Sequence, residues 1–267
     1  MTQDMNFTLV ETFFHISPVG ARNPTFQMPA TDFLDRQKAR QAIMKGGDLV
    51  QAIGMQLATS FIGMSFFNLC VTKLIFAAQY NRLLDLTINN LTFQLEKHGN
   101  FAHFGFKIND LRWTDLPGDN AARNAFLIAD FSSYFEREIN MMIEAVAESV
   151  NMKSDMIWGQ FGGQYHSIRD YIRQHENFKP SLEQFEQGFK VLIGLPPAVF
   201  NRKRNPFEHK PRYIDNPWSP PDGKFMLRSS CCMYDCRVDG QKCYTCPRML
   251  PEEREEKRRQ VLAAAAT

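Results

Sequence analysis

Five of the six cysteines in this 267-residue chain fall between Cys231 and Cys246. They stand in the stretch RSSCCMYDCRVDGQKCYTCPR, with the spacing C-C-x3-C-x6-C-x2-C. Thiolate is a soft ligand, and four thiolates suit either a structural zinc ion or an iron–sulfur cluster. Cys243 and Cys246 form a C-x-x-C, a spacing that a short turn can close on one metal. Cys231 and Cys232 are adjacent; neighbouring side chains point apart, so they do not make the usual second zinc knuckle. Without Cys236 the pattern is C-C-x10-C-x2-C. A reduced thiol cluster, or a redox disulfide between Cys243 and Cys246, would use the same residues without a metal.

The segment before the cysteines, NRKRNPFEHKPRYIDNPWSPPDG, holds Pro206, Pro211, Pro217, Pro220 and Pro221, too many for a helix or a central strand. It concentrates Arg202, Lys203, Arg204, Lys210 and Arg212. These residues read either as a solvated linker or as a cationic patch that draws an anionic ligand or an acidic protein towards the cysteines. Other candidates are weaker. His166 and Asp170, four apart on a helix, are too few for a metal site and read as a solvated face. Cys70 lies beside an apolar stripe and reads as a buried structural thiol. His103 falls in a strand and is given no function.

A formal net charge of +2 carries no global polyanion signal, so no nucleic-acid partner is expected. Hydrophobic content of 44% is ordinary for a globular chain, and this length can bury a core without a metal or disulfide staple. The start, MTQDMNFTLVETFFHIS, lacks the basic, apolar and small-residue parts of a signal peptide. The most apolar stretch, FIGMSFFNLCVTKLIFAA, carries Asn68 and Lys73 and reads as a buried helix, not a membrane span. No span is expected, which leaves peripheral membrane association open. The expected compartment is the cytoplasm, where thiols stay reduced and clustered cysteines favour metal over disulfides.

The elements that must position the cysteines read as mainly α: a single helical domain with a small β-hairpin insertion and an irregular C-terminal segment. Residues 1–200 form the helical body. Residues 201–267, in the same domain, form the basic, proline-rich approach, the cysteine segment and a charged terminal helix. Thr31 is expected to cap a helix over DFLDRQKARQAIMK that stops at Gly46-Gly47. A second helix is expected from Asp48 to about Ser60. A third starts near Ser65, with Phe67, Val71, Leu74 and Ala78 on one face. Leu91, Phe93 and Leu95, then Phe104, Phe106 and Ile108, alternate about His98-Gly99-Asn100, which predicts a hairpin over 91–108. Ile128, Phe131, Phe135, Ile139, Met142, Val146 and Val150 make one long helical stripe. Ile157, Phe161, Tyr165, Ile168 and Ile172 make another, weakened by Gly162-Gly163. Ser181 and Gln184 form a capping box for the next helix, which ends near Gly194-Leu195-Pro196-Pro197. In PEEREEKRRQVLAAAAT, Glu253–Lys257 and Glu255–Arg259 are i,i+4 pairs on a solvated helix. No internal repeat is visible.

The motif C-C-x10-C-x2-C, preceded by Arg and followed by Pro, resembles the signature of FhuF-like siderophore-iron reductases. Cys231, Cys232, Cys243 and Cys246 match that family's [2Fe–2S] ligands. The order of parts is also similar: helical body, short β insertion, a Trp segment (DMIWGQFGG, with Trp158) and a Pro-rich approach. Cys236, an extra thiol inside the ten-residue loop, departs from the pattern, as does GQFGG in place of a more polar turn. The resemblance implies a cytoplasmic oxidoreductase that releases siderophore iron by one-electron reduction of Fe(III) to Fe(II). It implies no catalytic side chains beyond the cluster. Arg202, Lys203, Arg204, Lys210 and Arg212 would serve as the substrate patch, and Arg228 and Arg248 would stabilise the electron-rich cluster. No Gly-rich nucleotide motif is present, so electrons would come from a partner protein: a ferredoxin, a flavodoxin or a reductase. The alternative from another class is a non-catalytic helical binding protein with structural zinc. A third, a scaffold like a siderophore synthetase domain, lacks an ATP-binding motif.

Overall fold

The computed structural model describes residues 5–99, 101–174, 178 and 181–265. It is mainly α with small sheets. In chain order the first half contains α1 (Thr8–Phe14), β1 (Ile16–Ser17), β2 (Phe26–Pro29), α2 (Arg36–Val50), α3 (Gln56–Tyr80), β3 (Arg82–Leu84), β4 (Leu91–His98), β5 (Phe101–Ile108) and β6 (Trp113–Asp115). The second half contains α4 (Asn120–Tyr134), α5 (Asn140–Ser149), α6 (Asp155–Gln174), α7 (Leu182–Gly194), β7 (Tyr213–Asp215), β8 (Lys224–Met226) and α8 (Pro251–Ala265).

Two helix boundaries differ from expectation. Thr31 lies in a 3-10 turn over Ala30–Leu34, and the cap is Asp35, whose carboxylate accepts from the Gln37 and Lys38 amides at 2.9 and 3.0 Å. The helix it opens does not stop at Gly46-Gly47. It runs on to Val50 and ends where Gln51 turns left-handed, φ 54°. Gly46 is a contact point, since a Cβ there would come within 2.6 Å of the Phe104 ring on the hairpin. No separate helix covers 48–60.

The next helix, α3, begins at Gln56 and not near Ser65. The stripe through Phe67 and Leu74 is only part of what it buries; Ile62, Phe66, Leu69, Cys70, Ile75 and Phe76 are equally enclosed. A helix covered on all sides has no apolar face to detect. It is long and apolar enough to cross a membrane, and it lies largely inside the protein. Lys73 is accommodated there by an ion pair with Asp130 at 2.9 Å and by the Tyr134 ring at 4.5 Å. The Cys70 thiol is fully buried and donates to the Phe66 carbonyl at 3.4 Å.

The hairpin over 91–108 is present, with all six alternating apolar residues buried. Asn100 of its expected turn lies outside the described residues. Phe93 pairs with Phe106 in register, and β1 and β2 complete a sheet of order β1-β5-β4-β2. His103 stacks between His15 (centroids 3.7 Å apart) and His98 (5.4 Å).

The long stripe through Phe131 and Val146 is carried by α4 and α5, joined without a break by a π turn over Phe135–Ile139. Ile128 departs from it and is exposed. Ser181 precedes α7 but makes no side-chain capping bond. On α8 the expected i,i+4 pairs do not form. Glu253 reaches Lys242 at 2.9 Å, Lys257 donates to the Lys242 carbonyl, and Glu255 and Glu256 pair three residues on with Arg258 and Arg259.

Candidate metal centre

The glycines of GQFGG do not weaken α6; they make room for the cysteine segment. A Cβ on Gly163 would come within 2.5 Å of the Ser229 hydroxyl, one on Gly159 within 3.2 Å of Ser230, and one on Gly162 within 2.5 Å of the His209 Cβ. The chain leading into Cys231 thus lies directly on the helix backbone. Ser229 fixes it there, accepting from the Gly163 amide at 3.2 Å and donating to the Gln160 carbonyl at 3.3 Å.

Four further attachments hold the segment. The amide of Ile53 donates to the Cys236 carbonyl, and that of Val238 to the Gln51 carbonyl, both at 2.9 Å. The β7–β8 hairpin brings Trp218 and Phe225 against Tyr244, with Trp218 and Tyr244 edge to face at 5.5 Å. The Arg228 amide donates to the Thr245 carbonyl at 3.1 Å. Finally, Arg254 on α8 donates to the carbonyls of Tyr244 and Cys246 at 3.1 and 2.8 Å. The terminal helix buries none of its residues, yet it closes the cysteine loop. Sequence reading missed Arg254 and Lys242, because i,i+4 pairing within the helix offered a local use for the same charges.

The thiols meet two by two. Cys231 and Cys246 have sulfurs 3.8 Å apart, and Cys232 neighbours Cys243, each thiol shifting the titration of the other. The adjacent cysteines therefore do point apart, each into its own pair, and the C-x-x-C is likewise divided between the pairs. Among the described residues, no three His, Cys, Asp or Glu side chains converge as a metal site. Cys236 joins neither pair. It is half-buried against the main core beside Gln51–Ile53, and burial and Asp235 raise its thiol pKa.

Hydrogen-bond donors lie beside the sulfurs, while the thiols themselves differ: Cys243 is drawn towards the thiolate, and Cys232 and Cys246 are held from it. Arg248 lies 3.8 Å from the Cys231 sulfur, and the Met233 amide donates to that sulfur at 3.4 Å. Met233 is left-handed, φ 58°. The Cys243 pKa is lowered by the neighbouring Cys232 thiol, then by Thr245 and Arg228, while Cys232 is held protonated by the same pairing and by burial. Burial raises the pKa of Cys246, and the bond to Cys231 raises that of Arg248. The Arg228 Nε is buried with no acceptor. Four thiols in two pairs, ringed by guanidinium and amide donors, are a donor set that fits a [2Fe–2S] cluster, in which each iron takes two protein thiolates.

The basic residues divide. Arg202 is committed to the body: it bonds Glu144 and Ser154, lies 3.5 Å from Asp155 and rests 5.7 Å from the Trp158 ring centroid. Lys203 and Arg204, with Arg202 beside them, line a cleft between α6 and residues 198–209, and Ser229 is part of the same wall. Lys210 and Arg212 lie outside that cleft and are exposed. The loop carrying Lys203 is anchored by Asn205, whose Nδ2 donates to the Leu192 and Leu195 carbonyls at 2.7 and 3.0 Å, and by the enclosed ring of Phe207. His166 is used structurally, 3.0 Å from the His209 carbonyl, and Asp170 pairs with Arg169 at 3.0 Å. No family model matches this chain, and no curated protein matches it.

Proposed function

We propose that the protein is a cytoplasmic ferric-siderophore reductase of the FhuF-like kind, with a [2Fe–2S] cluster held by Cys231, Cys232, Cys243 and Cys246. The observation that carries this reading is the division of the four thiols into the pairs Cys231–Cys246 and Cys232–Cys243, with Arg228, Arg248 and backbone amides beside the sulfurs. When bound, such a cluster supplies one electron to Fe(III), and the oxygen ligands of a siderophore hold the resulting Fe(II) weakly.

The chain's own residues have simpler tasks. Arg228, Arg248 and the Met233 amide offset negative charge on the thiolates and stabilise it more when an electron is added. Met249, packed in one cluster with Cys231 and Cys246, restricts water around the buried Cys246. No side chain is asked to move a proton. A partner protein delivers electrons, and the exposed Arg248 and Tyr234 beside the thiols are the natural place for it to approach. In this reading the helical body and the cysteine segment form a single domain, supported by the Gly163–Ser229 and Gln51–Val238 contacts.

Anaerobic purification followed by metal analysis tests the assignment. Iron and acid-labile sulfide in equal amounts are expected, with the cluster lost from each Cys→Ser variant of the four and retained in Cys236→Ala. Zinc without sulfide would replace this reading with the structural one. Stopped-flow mixing of the reduced protein with ferric siderophores should restore the oxidised visible spectrum, and failure with every siderophore class would reject the reductase.

A further inference from the structure

The cleft beside the cysteine loop is open to solvent and has a volume of about 910 Å3, near the upper end of small-molecule sites, which run from roughly 300 to 1,000 Å3. That is room for a ligand of several hundred daltons, far more than an inorganic ion needs. Trp158, Lys203, Arg204, Glu208, His209 and Ser229 contribute to its walls.

Its polar groups are incompletely used. Arg202 and Asp155 face each other, which leaves Lys203 and Arg204 against Glu208, a net positive charge. Among the described residues, neither Lys203 nor Arg204 has an ion-pair partner. Trp158 is 2% exposed, and its indole Nε1 has no acceptor. The His209 Nε2 is also buried without a partner. The Arg202 Nε, 3.5 Å from Asp155, is a third buried atom on this wall without a hydrogen bond. Buried polar atoms left unpaired are uncommon, and three on residues lining one cavity point to groups that a ligand completes. The position matters as much as the chemistry. Ser229 is two residues from Cys231, at most about 7 Å along the chain.

We infer that this cleft binds an anionic, oxygen-rich chelate of trivalent iron, with Lys203 and Arg204 meeting its charge and Trp158 and His209 meeting its oxygens. The iron rests on the reductase reading, whereas the anion rests on the cleft. Arg202 also lines the cleft, but its Nη2 is held by Glu144 and Ser154, so its main part is to position the wall.

Gallium(III) separates the two, because it has the charge of Fe(III) and accepts no electron. Calorimetric titration of the protein as purified uses an anionic gallium(III) tris-catecholate chelate and a neutral gallium(III) trihydroxamate. The anionic chelate should bind, and the neutral one should bind about tenfold more weakly or less well still. Lys203→Glu combined with Arg204→Glu should weaken the anionic chelate by about 100-fold, and Trp158→Phe, which keeps the ring and removes the donor, by about tenfold. Lys210→Glu with Arg212→Glu makes the same charge change outside the cleft and should alter binding less than about threefold at physiological salt. Equal binding of the anionic chelate to wild type and to the Lys203/Arg204 variant, or no binding at all, would overturn the inference. Reoxidation of reduced protein by a ferric chelate, indifferent to that variant, would keep the reductase and reject the cleft. Gallium binding in the expected pattern without any ferric reoxidation would keep the cleft and reject the reductase.

Discussion

The helical body and the cysteine segment are held together by different physics. The body has one continuous apolar core, in which Phe66, Phe67, Phe93, Phe106, Phe131, Phe135, Phe161 and Phe200 are wholly enclosed. The segment has a second, separate cluster of Cys231, Cys246 and Met249, with Met233 and Cys243 packed beside it. With Cys232 and Tyr244 the segment buries five side chains, too few by themselves to offset the entropy of ordering a loop of this length. The segment depends instead on point attachments: Ser229 in the α6 notch, the carbonyls clasped by Arg254, and the bridge at Gln51–Ile53. Ordinary hydrophobic burial makes the body rigid, and the segment borrows that rigidity.

The largest effect separating the two should come from the shared core. Phe135 touches Trp158, Phe200 and Phe207, the residues that underlie both the cleft and the approach to the cysteines. Phe135→Ala should cost about 3–5 kcal/mol in urea unfolding and loosen both regions together. If only the body weakened, the dependence of one region on the other would be wrong.

Gly163→Ala should instead drive the regions in opposite directions. Ala is a better helix residue by about 1 kcal/mol, so thermal unfolding of the body should shift upward or stay level. The new methyl would meet Ser229, so proteolysis within 205–223 should accelerate in the same protein.

Arg254→Met removes the clasp and keeps most of the stem. Loss of charged hydrogen bonds in a half-buried setting should cost the segment about 1–2 kcal/mol, read as faster amide exchange at 228–250 with unchanged exchange in α3.

The last effect concerns the body alone. His15 is held at about 4 by burial and then by the stacked His103, against roughly 6.5 in the unfolded chain. Between those values the unfolded chain takes up a proton that the folded one refuses. This contribution is therefore whole above about pH 6.5 and is lost as pH falls towards 4. His15→Gln should flatten the change in urea midpoint between pH 7 and pH 5, without altering the protease sensitivity of the segment.

Legibility in the sequence obeys the same division. The hairpin can be read because Leu91, Phe93 and Leu95 alternate with polar residues, and α6 because Ile157, Phe161 and Tyr165 repeat at helical spacing. The start of α3 is hidden because burial on every side erases periodicity. Gly46 and Gly163 look like helix weaknesses because a glycine's local cost is visible in sequence, whereas the Phe104 ring and the Ser229 hydroxyl that need its space are far away along the chain. The cysteines are legible as a motif, but their division into pairs is not. The segment also turns left-handed at Met233, a residue type that gives no warning of such a conformation. Arg202 looks like free charge because its partners Glu144, Ser154 and Asp155 are some fifty residues away in sequence.

The π turn at Phe135–Ile139 carries one residue more per turn than an α-helix would use. It acts as a phase shifter. Each residue of an α-helix rotates its successor by about 100°, so the inserted residue decides which way all of α5 faces. Glu144, the partner of Arg202, lies downstream of it. Deleting Glu136 would let the helix run on in plain α register and would turn Glu144 through about a quarter of the circle, away from the cleft wall. Replacing Glu136 with alanine would leave the dial where it is. The shape of a cleft formed partly by residues 198–209 is therefore set by a one-residue count made more than sixty positions earlier.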